Sequence, residues 1–100
     1  MTEYRIATSV LEDIVRGSIA ADTRIRVHAP LPLMRARPVE ILVEGENCEV
    51  VIHLDARLGE VLPSLAADVR SAVAGALSRM TGLTAGSVDV IFASVFPTET

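Results

Sequence analysis

Two stretches repeat their apolar residues every three or four positions, which predicts two amphipathic helices. The first covers about residues 9–21, where Ser9 and Glu12 have the spacing of an N-terminal capping box. The second covers about residues 61–81, and Gly82 suits its C-terminal stop. At about 100° per residue, the second helix has one apolar stripe that we expect to face the core. The stripe consists of Leu62, Leu65, Ala66, Val69, Val73, Ala76 and Met80.

Other stretches alternate apolar and polar residues, which predicts half-buried strands. These are residues 24–28, 39–44 and 49–55, and a last strand begins at Val88 and ends near Pro97. Turn residues 45–48 join the second and third strands, so this pair is predicted to be a hairpin. Residues 29–38 contain three prolines and are predicted to be a loop. The predicted core face of the hairpin is formed by Val39, Ile41, Val43, Val50, Ile52 and Leu54.

The order of these elements, αβββαβ, indicates the fold class. The last β-α-β unit requires a crossover, which is right-handed in nearly all proteins and makes its two strands parallel. The sequence therefore predicts an α+β domain with a mixed sheet of about four strands and two helices on one face. Its 100 residues fit a single domain, residues 1–100.

The charge balance narrows the classes of partner. The net charge is −4, and all nine basic residues are Arg. This acidic chain lacks the basic surface of a general nucleic-acid binder. With only 3% aromatic residues it also has few side chains on which bases could stack. No apolar run reaches the length of a membrane span, and the single cysteine excludes an internal disulfide. We expect a cytoplasmic protein with no direct membrane span.

The titratable residues form no recognisable catalytic or metal-binding motif. His53 and Asp55 share one face of the third strand, where they are either a base with its orienting carboxylate or, as we favour, an exposed polar pair. Cys48, His28 and His53 lack the spacing of a zinc site, which normally has four ligands. We therefore predict no catalytic residue, no cofactor and no metal, and a protein that is not an enzyme.

The arginines concentrate in one segment of the chain. Residues 23–39 contain Arg24, Arg26, Arg35 and Arg37 but no acidic residue, and the following hairpin is rich in Glu. One interpretation is that these four arginines dock an acidic partner, an anionic lipid head group or a neighbouring copy of the chain. The other is that they pair with glutamates of the same sheet, where each exposed ion pair contributes little.

The second helix carries an unusual outer face. Opposite its core stripe lie small, uncharged residues, which are Ala67, Ser71, Ala74, Gly75 and Ser78 with few others. Small side chains let another backbone approach closely, so we predict that these residues form a weak self-association surface. The alternatives are contact with the first helix of the same chain and simple exposure to solvent.

The run from Leu62-Pro63 through Met80-Thr-Gly-Leu83 to Val88-Asp-Val90 resembles the alkaline-shock, or envelope stress response, protein family of Gram-positive bacteria. The likeness covers about residues 6–97. It implies a non-enzymatic scaffold or adaptor in cell-envelope homeostasis that self-associates and is held at the inner face of the membrane by a membrane-anchored protein partner. The alternatives are a regulator of an enzyme such as acetyl-CoA carboxylase and a small nucleic-acid-binding domain.

Overall fold

The computed structural model describes residues 6–29 and 37–98, and it confirms the α+β class and the order αβββαβ. The elements are α1 Thr8–Ile19, β1 Ile25–Val27, β2 Val39–Glu44, β3 Asn47–Arg57, α2 Leu62–Thr81 and β4 Thr84–Phe96.

The central strand of the sheet is β3. Strand β4 pairs with it in parallel from Asn47 to Arg57, as the crossover through α2 requires. Strands β1 and β2 both pair with β3 in the antiparallel direction. Because β4 occupies one edge of β3 along its whole length, β1 and β2 share the other edge.

The two strands on the shared edge meet at His53. The backbone N–H of His28, just after β1, donates to the carbonyl of His53 at 3.0 Å, and the N–H of His53 donates to the carbonyl of Pro38 at 2.8 Å. His28 and Pro38 are therefore both bound to the same residue of this edge. Together β1 and β2 behave as one long strand that is interrupted between these two residues.

One face of β3 supplies the centre of the core. Its alternate residues are all buried: Cys48, Val50, Ile52, Leu54 and Ala56. Helix α1 adds Leu11, Val15 and Ile19, which follow each other at four-residue steps and belong to the same buried cluster. Both helices pack on this face, α1 beside β2 and α2 beside β4, so among the described residues the opposite face of the sheet carries no helix.

The start of α1 differs from its prediction. The helix begins at Thr8 with Ala7 as the N-cap, and no side chain caps it. The backbone N–H groups of Val10 and Leu11 both reach the carbonyl of Ala7. The predicted capping box at Ser9 is therefore wrong, because Ser9 already lies inside the first turn. The helix also ends at Ile19 rather than near residue 21.

Three predicted core residues lie outside the core. Met80 is 69% exposed, while Leu77 takes the buried place beside Val73; Leu62 is also exposed. Leu62 and Met80 have the angular position of core residues, but they occupy the first and last turns of α2, where the helix reaches its ends. Val43 is exposed for a similar reason, since it stands next to the hairpin turn.

The transition from α2 to β4 is abrupt. Gly82 ends the helix in the left-handed conformation, with φ of 76°, and its N–H donates to the carbonyl of Ser78. The N–H of Thr84 then donates to the carbonyl of Glu46 at 2.8 Å. Strand β4 therefore begins four residues before the predicted Val88, because β3 already offers pairing there.

Candidate interaction surfaces

The sheet face without helices carries a polar cluster at its centre. The Nδ1 atom of His28 lies 2.7 Å from Oδ1 of Asp55, and both side chains are partly buried. Across the sheet, the guanidinium of Arg26 stands 4.0 Å from the ring centroid of Phe96, a cation–π contact. Asp55 is thus bound to His28, which the sequence had not paired with it, rather than to His53.

His53 lies beside this pair but does not join it. Its Nδ1 atom is buried and has no hydrogen-bond partner. Within residues 6–29 and 37–98, no group of three or more His, Cys, Asp or Glu side chains is placed to hold a metal ion. The thiol of Cys48 lies on the opposite, core face of β3, where burial raises its pKa.

The predicted docking arginines that the structure describes, Arg24, Arg26 and Arg37, have partners within the chain. Arg24 binds Asp22 at 2.7 Å and Asp68 at 3.1 Å. These contacts raise the pKa of the Arg24 guanidinium, and the hydrogen bond from Arg24 lowers the pKa of Asp22. Arg37 lies 3.3 Å from Glu12.

The carboxylates bound to Arg24 and Arg37 come from α1, α2 and the turn before β1, not from the hairpin glutamates. Arg26 contacts Phe96, as described above, and Arg35 lies outside the described residues. Arg37 is the most exposed of the arginines with a described ion pair. Docking of an acidic partner by this segment stays a prediction.

The outer face of α2 is less uniform than its sequence suggests. Ala67, Ser71 and Ser78 are exposed, whereas Ala74 and Gly75 are partly buried. The side chain of Arg79 folds back over Gly75, so that a Cβ added there would lie 2.9 Å from Nη1 of Arg79. A guanidinium therefore covers the middle of the predicted self-association surface, and a second helix could approach closely only after Arg79 moves.

A group of exposed apolar side chains was missed by the sequence reasoning. Leu58 and Val61, in the turn between β3 and α2, are 61% and 66% exposed. Leu62, which follows Val61, and Val95, near the end of β4, are also exposed. The N–H of Leu58 donates to the carbonyl of Phe96, which joins this turn to the end of β4. We call Leu58, Val61, Leu62 and Val95 the turn patch. The available signal was the pair of apolar residues, Leu58 and Val61, on either side of Gly59-Glu60 in a short turn.

A cavity of about 510 Å³ opens at the other end of the sheet. It lies between the start of α1, the end of α2 and the hairpin turn. Its apolar lining includes Ile6, Leu11, Val43 and Leu83, and Glu46 stands at its wall. Cavities of this volume are common on proteins of many functions.

Strand β4 forms the outer edge of the sheet on its side. Among the described residues it pairs with β3 alone. Two bulges interrupt its register, one at Gly86 and one at Ala93, and between them Ser87–Phe92 pairs regularly with β3. Ile91 in this regular stretch is exposed on the face without helices.

Comparison of the chain with known protein families, with curated proteins and with solved structures found no match. No helix in the described part of the chain is both long enough and apolar enough to span a membrane.

Proposed function

We propose that this chain is a non-enzymatic scaffold or adaptor domain, which self-associates weakly and docks a protein partner at the cytoplasmic face of the cell membrane. The observation that carries the proposal is the turn patch. Single exposed apolar residues are ordinary on protein surfaces, but neighbouring ones mark places where another macromolecule binds. The resemblance to the alkaline-shock family contributes the cellular setting, the cell envelope.

The turn patch is suited to a partner because its backbone is fixed. Leu58 is held to β4 by the hydrogen bond between its N–H and Phe96, and its carbonyl accepts from the hydroxyl of Thr98 at 3.3 Å. Val61 accepts the first hydrogen bond of α2 from Leu65. A surface whose backbone is already ordered loses little conformational entropy when it binds.

The proposal is tested by affinity capture with two matched double variants. The first, Leu58→Ser with Val61→Ser, removes two side chains of the turn patch. The control, Val10→Ser with Leu42→Ser, removes two similarly exposed apolar side chains from α1 and β2. Each protein is used to capture binding proteins from the membrane fraction of the source cells. A true partner binds to the wild type and to the control variant but not to the first variant. If both variants retain the same proteins as the wild type, the turn patch is not a docking surface.

Membrane association is expected to need that partner. Neither helix has the strongly basic face of an interfacial anchor. Purified protein mixed with vesicles of anionic phospholipid should therefore stay in the soluble fraction on flotation. Salt-resistant flotation of the purified chain would contradict the adaptor role.

A further inference from the structure

The outer edge of β4 is the most extended unpaired backbone in the described structure. The strand has 13 residues, and only Asp89 among them is charged. Between the bulges, Ser87–Phe92 forms six consecutive pairs with β3, which corresponds to about 20 Å of regular strand. Such an edge presents backbone N–H and C=O groups to any other strand, and natural proteins usually block it with charges, prolines or covering segments. The regular stretch of β4 has neither a proline nor a basic residue.

We propose that the edges of β4 from two copies of this chain pair in the antiparallel direction, so that the two sheets become continuous. The inference rests on the self-association that forms part of the proposed function, and it assigns that self-association to a site. Each copy carries the same edge, so the contact is isologous and closes with two-fold symmetry.

The charge distribution favours a second copy. The chain has a net charge of −4, so two copies repel each other over most of their surface. They meet with least repulsion where carboxylates are few, and β4 contributes only Asp89. In contrast, β2 has Glu40 and Glu44 among its six residues.

The ordered backbone of β4 also favours a second copy of the chain over a flexible peptide as its partner. A disordered peptide must lose conformational freedom at every residue that it adds to a sheet. In this chain β4 is already extended, because β3 pairs with it along its length. Two such strands pair without that entropic cost, and each molecule brings its own partner strand.

The two-fold axis fixes where the helices lie. Antiparallel pairing of identical edges within one continuous sheet requires an axis perpendicular to the sheet. Both helical layers then lie on the same face. Since α2 packs on β4 and α1 on β2, the two copies of α2 become the nearest helices across the axis. The exposed side chains of Ala67, Ser71 and Ser78 are small, but the side chain of Arg79, which lies over Gly75, has to move before the two helices come close. A specific interface normally buries about 1,600 Å² in total, more than one short strand pair provides, so contacts between the α2 helices matter.

The test compares one substitution on each edge of the sheet. Ile91 of β4 and Leu42 of β2 are exposed, 42% and 57%, on the face without helices. Ile91→Glu places a second carboxylate near Asp89 on each copy, so it adds like-charge repulsion when the regular stretches Ser87–Phe92 of two copies pair. We expect it to raise the dissociation constant of the dimer at least about tenfold, as several close like-charge pairs do. Leu42→Glu changes the net charge equally and should leave association unchanged.

Association is measured by light scattering over a concentration series, and backbone pairing by amide hydrogen exchange. Exchange at those amides of Ser87–Phe92 that point away from β3 should slow as concentration rises in the wild-type protein, whereas exchange in β2 should not. The wild-type measurement remains decisive even if Ile91→Glu fails to fold.

Three outcomes overturn the inference. If dimers form without slower exchange at Ser87–Phe92, self-association stands but uses another surface. If Ile91→Glu and Leu42→Glu weaken the dimer equally, general charge repulsion explains the effect and edge pairing does not. If the wild type stays monomeric at every concentration, both edge pairing and self-association fail, while capture through the turn patch remains a separate question.

Discussion

The two edges of this sheet differ in the length and the charge of their strands. One edge consists of two separate strands, β1 with three residues and β2 with six, which meet at His53. That edge carries Arg26, Glu40 and Glu44. The other edge is the single 13-residue strand β4, with Asp89 as its one charged residue. Both edges pair with the same central strand, so their difference does not come from the core.

The comparison shows that protection of a sheet edge resides in details that hydrophobic periodicity does not encode. Interruption and charge both discourage further strand pairing, and the β1–β2 edge has both. The β4 edge has two bulges, at Gly86 and Ala93, but they leave a regular stretch between them. We expect one edge to stay solvent-exposed and the other to serve as a contact.

The largest effect on stability is expected in β3, the central strand with which both edges pair. Leu54 of β3 is fully buried, and it pairs with Val27 on one side and Phe92 on the other. Leu54→Ala should lower the free energy of unfolding by about 2–5 kcal/mol, since it removes buried methyl groups and leaves a cavity. Urea unfolding measures the change. The exposed Leu42 is the control: Leu42→Ala should cost less than about 1 kcal/mol. If both substitutions lowered the free energy of unfolding equally, the packing of β3 would not stabilise the sheet more than an exposed position does.

An intermediate effect is expected from the charge on β4. Asp89→Asn removes its one carboxylate and keeps the side-chain shape, so it should strengthen the pairing of two β4 strands. The dissociation constant should fall about threefold to fivefold, the size of one relieved like-charge contact. Glu40→Gln, the matched change on β2, should leave it unaltered. If the two substitutions tighten the dimer equally, net charge rather than the β4 edge controls association.

The smallest effect is expected at the turn that leads into β1. Arg24 donates hydrogen bonds to Asp22 and holds the pKa of that carboxyl below its ordinary value of 3.8. The ionised form is therefore favoured by folding. Its contribution to stability is complete above the unfolded pKa, near 3.8, and is lost as pH falls through the lower folded pKa.

Asp22→Asn tests this contribution. It should cost about 0.5 kcal/mol in urea unfolding at neutral pH, as partly exposed ion pairs do, and the difference from the wild type should shrink in acid. The exposed Asp13 of α1 provides the control, because Asp13→Asn removes the same charge at a different place on the surface. A cost for Asp22→Asn that does not change with pH would show that the hydrogen bonds of Asp22, rather than its charge, stabilise the turn.

Local sequence patterns predicted the helices and strands well, whereas some strand bounds and side-chain contacts depended on residues far apart in sequence. The alternation around Gly45 and the stop at Gly82 needed only neighbouring residues, and both predictions are confirmed. The early start of β4 depended on Glu46, which is far away in sequence and accepts from Thr84. The contact between the side chains of His28 and Asp55 depended on the pairing of β1 with β3. The outer face of α2 differed because the long side chain of Arg79 folds over Gly75, one turn earlier.

The meeting of β1 and β2 at His53 implies that the register of the sheet does not depend on the number of residues between His28 and Pro38. His28 and Pro38 both bond to the backbone of His53, so the two ends of the intervening segment are held at one point. Lengthening a closed loop costs little, about 0.6 kcal/mol for each doubling. We therefore expect β1 and β2 to keep their pairing with β3 when residues are inserted between His28 and Pro38. This position would accept an inserted peptide tag or a reporter domain.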